Sequence, residues 1–174
     1  MSKIPLYLLA LSATLLVIVY SVGTRRGPEI NATFRFTLPE SIDFIFAIYS
    51  DVSRFPDRKR NLETVEILEA TPTQVFRWKE IYKNGNIKEY ELIRFSRPNN
   101  FDFIVRNFSN NKESEVTVTF SVVGEATEII MTESTEINNR FLRGVRFFMG
   151  DDWFLRGEAK WLRVAILQDQ LRRN

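Results

Sequence analysis

Two glutamates occupy positions where the surrounding pattern calls for apolar residues. Near the C-terminus, Phe154, Leu155, Ala159, Trp161, Leu162, Ala165 and Ile166 share one arc of a helical wheel, with Arg156, Lys160 and Arg163 opposite. Glu158 falls inside the apolar arc. A carboxylate there either meets a cation or has its pKa raised by desolvation. The first outcome is a structural ion pair with an arginine of a facing strand; the second is a polar anchor for a ligand, or a general acid. Glu133 poses the same question on a strand pattern, where it shares a face with Ile129, Met131, Thr135 and Ile137. If both carboxylates reach one cavity, acid–base work on a ligand is open to them. The opposite assignment turns Ile130 inward and leaves Glu133 solvated. Arg77 and Arg94 are the strand arginines considered as partners.

The rest of the composition narrows the chemistry. The 174 residues include no Cys and no His, which excludes disulfides, thiolate nucleophiles, Cys/His zinc sites and histidine-based triads. There is no phosphate-binding glycine loop and no cluster of metal ligands, so neither a cofactor nor a metal is expected. Of 24 basic residues, Lys3, Arg25 and Arg26 flank an N-terminal apolar stretch; the remainder nearly balance 22 acidic ones. A near-neutral body carries no broad nucleic-acid footprint.

The elements that must position these groups follow from periodicity. Residues 30–38 alternate, with Ile30, Ala32, Phe34, Phe36 and Leu38 on one face. Pro39 ends that strand, and Ser41 can cap a helix over 42–52. Six more strands are expected at 63–69, 73–83, 87–95, 101–108, 115–123 and 128–137. Turn residues separate them, with Asn84-Gly85-Asn86 the strongest hairpin signal and Asn110-Asn111 another. Helix returns over 139–149, pauses at Gly150 and runs on from 151 to about 171. A continuous antiparallel sheet of this length curls, and a long helix held in its concave face encloses space.

The run Leu38-Pro39-Glu40-Ser41-Ile42-Asp43-Phe44-Ile45-Phe46 through Asp51-Val52-Ser53-Arg54-Phe55-Pro56 resembles the strand–Pro–helix opening of the START-like superfamily, also called SRPBCC or the polyketide cyclase/dehydrase and lipid-transport group. The resemblance in element order covers residues 30–171. Where the family usually places a Trp soon after this Pro, the chain has Asp57-Arg58-Lys59-Arg60, which reads as a solvated loop. The resemblance implies an α+β helix-grip fold, a curled antiparallel sheet of about seven strands around a long C-terminal helix. It also implies a hydrophobic small molecule as partner, such as a lipid, quinone or polyketide, and for a minority of members an enzymatic role of the cyclase or dehydratase type. The residues that would line such a pocket are Phe76, Trp78, Tyr90, Leu92, Met131, Phe154, Glu158, Trp161, Leu162 and Ala165. Glu158 and Glu133 are the catalytic candidates.

Residues 4–23 carry no charge over a length sufficient to cross a hydrocarbon core of roughly 30 Å as a helix. Pro5 falls in the first turn, and Tyr7 and Tyr20 lie near the two ends. A cleaved secretory signal is the alternative, although its apolar core is normally shorter. The expected organisation is therefore a transmembrane anchor with its basic flank over residues 1–26, followed by the START-like domain over 27–174. Arg25 and Arg26 after the span favour a cytoplasmic domain. Arg140, Arg143 and Arg146 recur every three residues with Phe147 beside them, a pattern that fits either a basic flank lying on the lipid bilayer or a solvated charged face. A protein-interaction module at the membrane is the remaining alternative.

Overall fold

A computed structural model describes residues 6–109 and 111–173, so the expectations placed on Lys3, Ile4, Pro5 and Asn110 lie outside the described residues. The chain runs α1 (Leu6–Arg25), β1 (Glu29–Leu38), α2 (Ile42–Ser50), a 3₁₀ turn (Val52–Arg54) and α3 (Phe55–Arg58). Six strands follow, β2 (Leu62–Thr71), β3 (Gln74–Tyr82), β4 (Ile87–Ser96), β5 (Asn100–Asn107), β6 (Lys112–Val123) and β7 (Ala126–Glu136). It closes with α4 (Arg140–Met149) and α5 (Trp153–Arg173).

All seven strands form one antiparallel sheet in the order β1-β7-β6-β5-β4-β3-β2. The strand that precedes α2 therefore pairs with the last one, Ile30 opposite Thr135 and Leu38 opposite Thr127. On β1 the alternation places Ile30, Ala32, Phe36 and Leu38 on the buried face and Asn31, Thr33, Arg35 and Thr37 in solvent. Gly85 takes φ 78°, the left-handed region open to glycine, in the tight β3–β4 turn. Ser41 stands at the start of α2 with extended backbone, but its hydroxyl makes no capping bond. On α4, the Asn139 side chain does cap, accepting a hydrogen bond from the Leu142 amide at 3.1 Å.

The centre of the sheet under α5 is packed solid with rings. Phe46 stacks on Phe101 with centroids 4.6 Å apart, Tyr49 lies against Trp161 at 5.8 Å, and Trp78 stacks on its cross-strand partner Tyr90 at 5.0 Å. Leu155, Leu162 and Ala165 of α5 are fully buried against this layer. Strand β2 behaves differently. After Leu62 it is mostly exposed, and three register shifts against β3 break its ladder.

The N-terminal helix is docked by its last turns. Gly23 and Gly144 lie where α1 crosses α4: a Cβ on Gly23 would stand 1.7 Å from the Arg140 carbonyl oxygen, and one on Gly144 would stand 1.9 Å from that of Val19. Only glycine allows backbones to approach so closely. The Arg143 Nε donates to the Gly23 carbonyl at 2.8 Å, and Arg26 forms a two-pronged ion pair with Asp151 at 2.7 and 2.9 Å. The segment from Arg26 to Pro28 is short, and Ile137 donates its amide to the Pro28 carbonyl at 2.8 Å. Helix α1 thus leaves the sheet in a fixed direction.

Gly144→Ala should force the crossing apart at a cost of about 1–3 kcal/mol, because the obstructing atom is backbone. Faster hydrogen exchange of α4 amides in detergent-solubilised protein would report it. Gly157→Ala on α5, where the new methyl meets nothing within 4 Å, should be neutral or stabilising by about 0.5–1 kcal/mol.

Candidate functional site

Polar side chains border two interior spaces among the described residues. The first lies in a closed cluster beneath α5. Lys59 Nζ lies 2.7 Å from Glu80 and 3.7 Å from Glu158, and Glu80 also accepts a hydrogen bond from the Tyr82 hydroxyl. The same ammonium sits over the rings of Phe55 at 4.6 Å and Trp161 at 4.8 Å. Trp161 donates its indole N–H to Glu158 one turn earlier on α5. The void among these groups has a volume of only about 20 Å³, enough for one water molecule. Trp78 Nε1 and the Tyr90 hydroxyl border it without a hydrogen-bond partner among the described residues.

Electrostatics hold Lys59 and Glu80 in their ionised forms. Burial opposes the charge on Lys59, but Glu158 and Glu80 outweigh it and raise the ammonium above its ordinary value. Burial likewise pushes Glu80 upward, and Lys59, with the Tyr82 hydroxyl, draws it below the ordinary carboxylate range. Burial raises Tyr82 far above an ordinary phenol, so it remains a hydrogen-bond donor at any physiological pH.

The second space is a cavity of about 580 Å³ at the end of the sheet from which β1, β4 and β6 start, closed by α4 and the first turn of α5. Its two walls differ. Leu142, Val145, Arg146, Met149, Trp153 and Phe154 make the helical wall, Lys88, Asn107, Lys112, Ser114 and Glu133 project from the strands, and Asn86 stands in the β3–β4 turn. Glu133 is fully committed: it pairs with Lys112 at 2.9 Å, forms a short ion pair with Arg146, and accepts from Ser114 at 3.2 Å. Burial would raise it, but Lys112 and Arg146 hold it below the ordinary carboxylate range.

Lys88 is the exception. No carboxylate among the described residues lies within ion-pair distance of its Nζ, which instead sits over the rings of Phe154 at 4.8 Å and Tyr82 at 5.3 Å. Burial lowers its ammonium below the ordinary lysine value, only partly offset by the more distant Glu158 and Glu80. Asn86 borders the same cavity, and its side-chain oxygen is buried without a donor among the described residues.

This placement revises several sequence expectations. Glu158 meets a cation, but the partner is Lys59 rather than a strand arginine; Arg94 pairs with Asp102 and Arg77 with Glu89. Glu133 points inward. The two carboxylates border different spaces, so they do not form one acid–base pair. Of the expected pocket residues, Phe154 alone lines the large cavity. Trp78, Tyr90, Glu158 and Trp161 surround the small void, while Leu92, Met131, Leu162 and Ala165 are packed core and Phe76 lies partly buried against it. Aromatic side chains fill the middle of the grip, and the open space moves to its end. Residues 57–60 are no solvated loop, since Arg58 and Lys59 are buried. Arg58 donates to the Ile48 carbonyl at 3.0 Å and pairs with Asp169 at 3.2 Å, tying α2 and α3 to α5.

The expected basic flank on α4 is also inverted. Arg143 and Arg146 are each 7% exposed, held by the carbonyls of Gly23, Ile137, Asn138 and Asp151 and by Glu133. Arg140 is in solvent, and Phe147 is half exposed with the Arg26 guanidinium 5.4 Å from its ring centre. Backbone carbonyls and a buried carboxylate outcompete water for these guanidinium groups.

Glu80, Lys59, Lys88 and Lys112 escaped the sequence reading, although strand parity marks three of them. Glu80 lies between Trp78 and Tyr82 on the inward face, Lys88 precedes Tyr90 and Leu92 at the same period, and Lys112 precedes Ser114 and Val116.

Solved structures share this architecture. A START superfamily protein from Mycobacterium smegmatis superposes with a TM-score of 0.62 at 13% identity, covering 79% of this chain and 99% of its own. The chain has the helix-grip fold. Ara h 8.0201 matches with a TM-score of 0.62 at 11% identity over 80% of this chain and 99% of its own. A norcoclaurine synthase point mutant from Thalictrum, in complex with a transition-state analogue, matches at 0.60 with 13% identity over 82% and 96%. No protein-family model and no curated protein matches the sequence. Within the helix-grip, a lysine with no ion-pair partner among the described residues, beside a mostly apolar wall, distinguishes the large cavity from the closed cluster.

Removing Lys59 should be costly, because Lys59→Met leaves Glu80 buried and Glu158 half-buried without their shared cation, a loss of about 3–5 kcal/mol in urea unfolding. Adding Glu80→Gln should recover part of it. The pH dependence follows from Glu80 and Glu133, whose folded pKa values lie below the ordinary 4.5. Their contribution is complete above 4.5 and is lost as pH falls through the lower folded values, so the urea midpoint should drop in that acid window.

Proposed function

We propose that this chain is a membrane-tethered binding module that holds a hydrophobic small molecule with an acidic end group. The observation that carries the reading is the cavity of about 580 Å³, mostly apolar on its helical wall and bearing on its strand wall a lysine with no ion-pair partner among the described residues. On the helical wall only Arg146 is charged, and it is already paired with Glu133. That volume lies in the usual range for small-molecule sites, about 300–1,000 Å³. An acidic amphiphile such as a fatty acid satisfies both walls. Its chain lies against Val145, Met149 and Phe154, while its anionic end meets Lys88, with Lys112 nearby. A neighbour of the same fold holding a transition-state analogue supports small-molecule binding by this architecture. Two-carboxylate catalysis is disfavoured, because Glu133 and Glu158 are each paired and border separate spaces.

The tether is α1, whose residues Tyr7–Arg25 are long and apolar enough to cross a membrane. Residues 1–26 form the anchor and its basic flank, residues 27–174 the binding domain. Arg25 and Arg26 after the span favour a cytoplasmic domain. Alkaline carbonate washing should leave the full chain in the membrane fraction, with residues 1–23 retained in the intact mass; release, or a shortened N-terminus, overturns the tether.

The ligand reading is tested with full-length protein in detergent, following displacement of a fluorescent fatty acid. Lys88→Met should weaken binding of the acid about tenfold or more, the worth of one charge-assisted contact, and leave the matching fatty alcohol unaffected. Affinity for the acid should also fall as pH rises through the Lys88 pKa, beginning below 10.5, as the ammonium loses its proton. Absence of uptake by the unmodified protein, or equal losses for acid and alcohol, would sink the assignment.

A further inference from the structure

Helix α4 is built inside out. Its arginines 143 and 146 are buried, whereas Phe141, Leu142, Phe148 and Met149 are between 38% and 55% exposed, with Trp153 continuing the patch at 52%. Water is a poor neighbour for such a surface, and contiguous exposed apolar faces mark places where something else sits. The crossing with α1 says what that is. Gly144 touches the carbonyl of Val19, and Arg140 and Gly144 touch Gly23. Val19 and Gly23 lie six and two residues before the end of α1 at Arg25. At 1.5 Å per residue, α4 meets the span about 9 and 3 Å inside its polar end. A helix lying in the membrane interface buries its apolar face to about 5–10 Å.

We infer that α4 lies in the lipid interface of the membrane that α1 enters, with its Phe141–Leu142–Phe148–Met149 face in the acyl boundary. This rests on α1 being a membrane span. The buried arginines then act structurally, fastening α4 to the sheet through Glu133 and to α1 through the Gly23 carbonyl, while Arg26 and Asp151 close the polar side. Leu142, Met149 and Trp153 belong to both the exposed face and the cavity wall. The rim of the cavity therefore meets lipid, and an amphiphile can pass between bilayer and cavity with its chain shielded from water.

The absence of native cysteine allows a direct test. Full-length protein carrying Leu15→Cys, Phe148→Cys or Val122→Cys, each labelled with an environment-sensitive fluorophore, is placed in phosphatidylcholine nanodiscs containing nitroxide lipids of graded depth. Leu15 reports the span, Phe148 the α4 face, and Val122 the opposite end of the sheet. The expected result is deep quenching at Leu15, shallow quenching at Phe148 several-fold above that at Val122, and protection of Phe148 from aqueous iodide. Quenching at Leu15 with Phe148 open to iodide leaves the anchor standing and overturns the seating of α4. Phe148 protected from both nitroxide and iodide assigns the face to a protein partner and overturns it equally. Leu15 without nitroxide quenching removes the span, and the inference with it.

Discussion

The ion pair between Glu133 and Arg146 is the constraint on which the rest of the arrangement depends. A carboxylate projecting inward from β7 cannot remain alone in the interior, and the nearest cation able to join it from outside the sheet is carried by α4. Satisfying Glu133 rotates the arginine side of α4 toward the sheet. The apolar side is then presented outward, Gly144 is presented to α1, and Val145 and Met149 to the cavity. One buried charge thus orients a helix, and that helix in turn defines both the cavity wall and the docking of the N-terminal segment.

Most of the fold was legible because it depends on periodicity. Strand alternation on β1 and the Asn84-Gly85-Asn86 turn are local signals, and the structure follows them. The site was less legible. Ring packing around Phe46, Phe101 and Trp161 fills the middle of the grip, and no local pattern reports how completely side chains close a space. The three-residue recurrence of Arg140, Arg143 and Arg146 marked a basic side of α4 but could not say whether that side faces protein, lipid or water. Apolar faces normally turn inward, and here the carbonyls of Gly23, Ile137 and Asn138 and the carboxylate of Glu133 reverse that order. Lys59 was hidden for a related reason, as one cation in a charged run gives no sign that two glutamates distant in sequence converge on it.

The two interior polar sites are built to different rules. Around Lys59 two carboxylates share one ammonium and the remaining space admits a single water, so the cluster joins α3, β3 and α5 without offering a place for a guest. Around Lys88 the compensation is missing and the space is large. The lysine is held over two rings with its ammonium partly stripped of water, and the proposed acidic amphiphile rests on that contrast.

Strand β2 bears on how many copies of this chain can coexist. It forms one edge of the sheet, stands largely clear of the core, and carries Glu63, Glu66 and Glu69 along a ladder broken three times. Under the proposed tether, chains confined to a plane would encounter one another far more often than chains free in volume, and an unbroken edge would invite strand addition between neighbours. A kinked, acidic border repels its own image and offers no continuous row of amides to a second sheet. Crowding at a surface therefore need not become fibre growth.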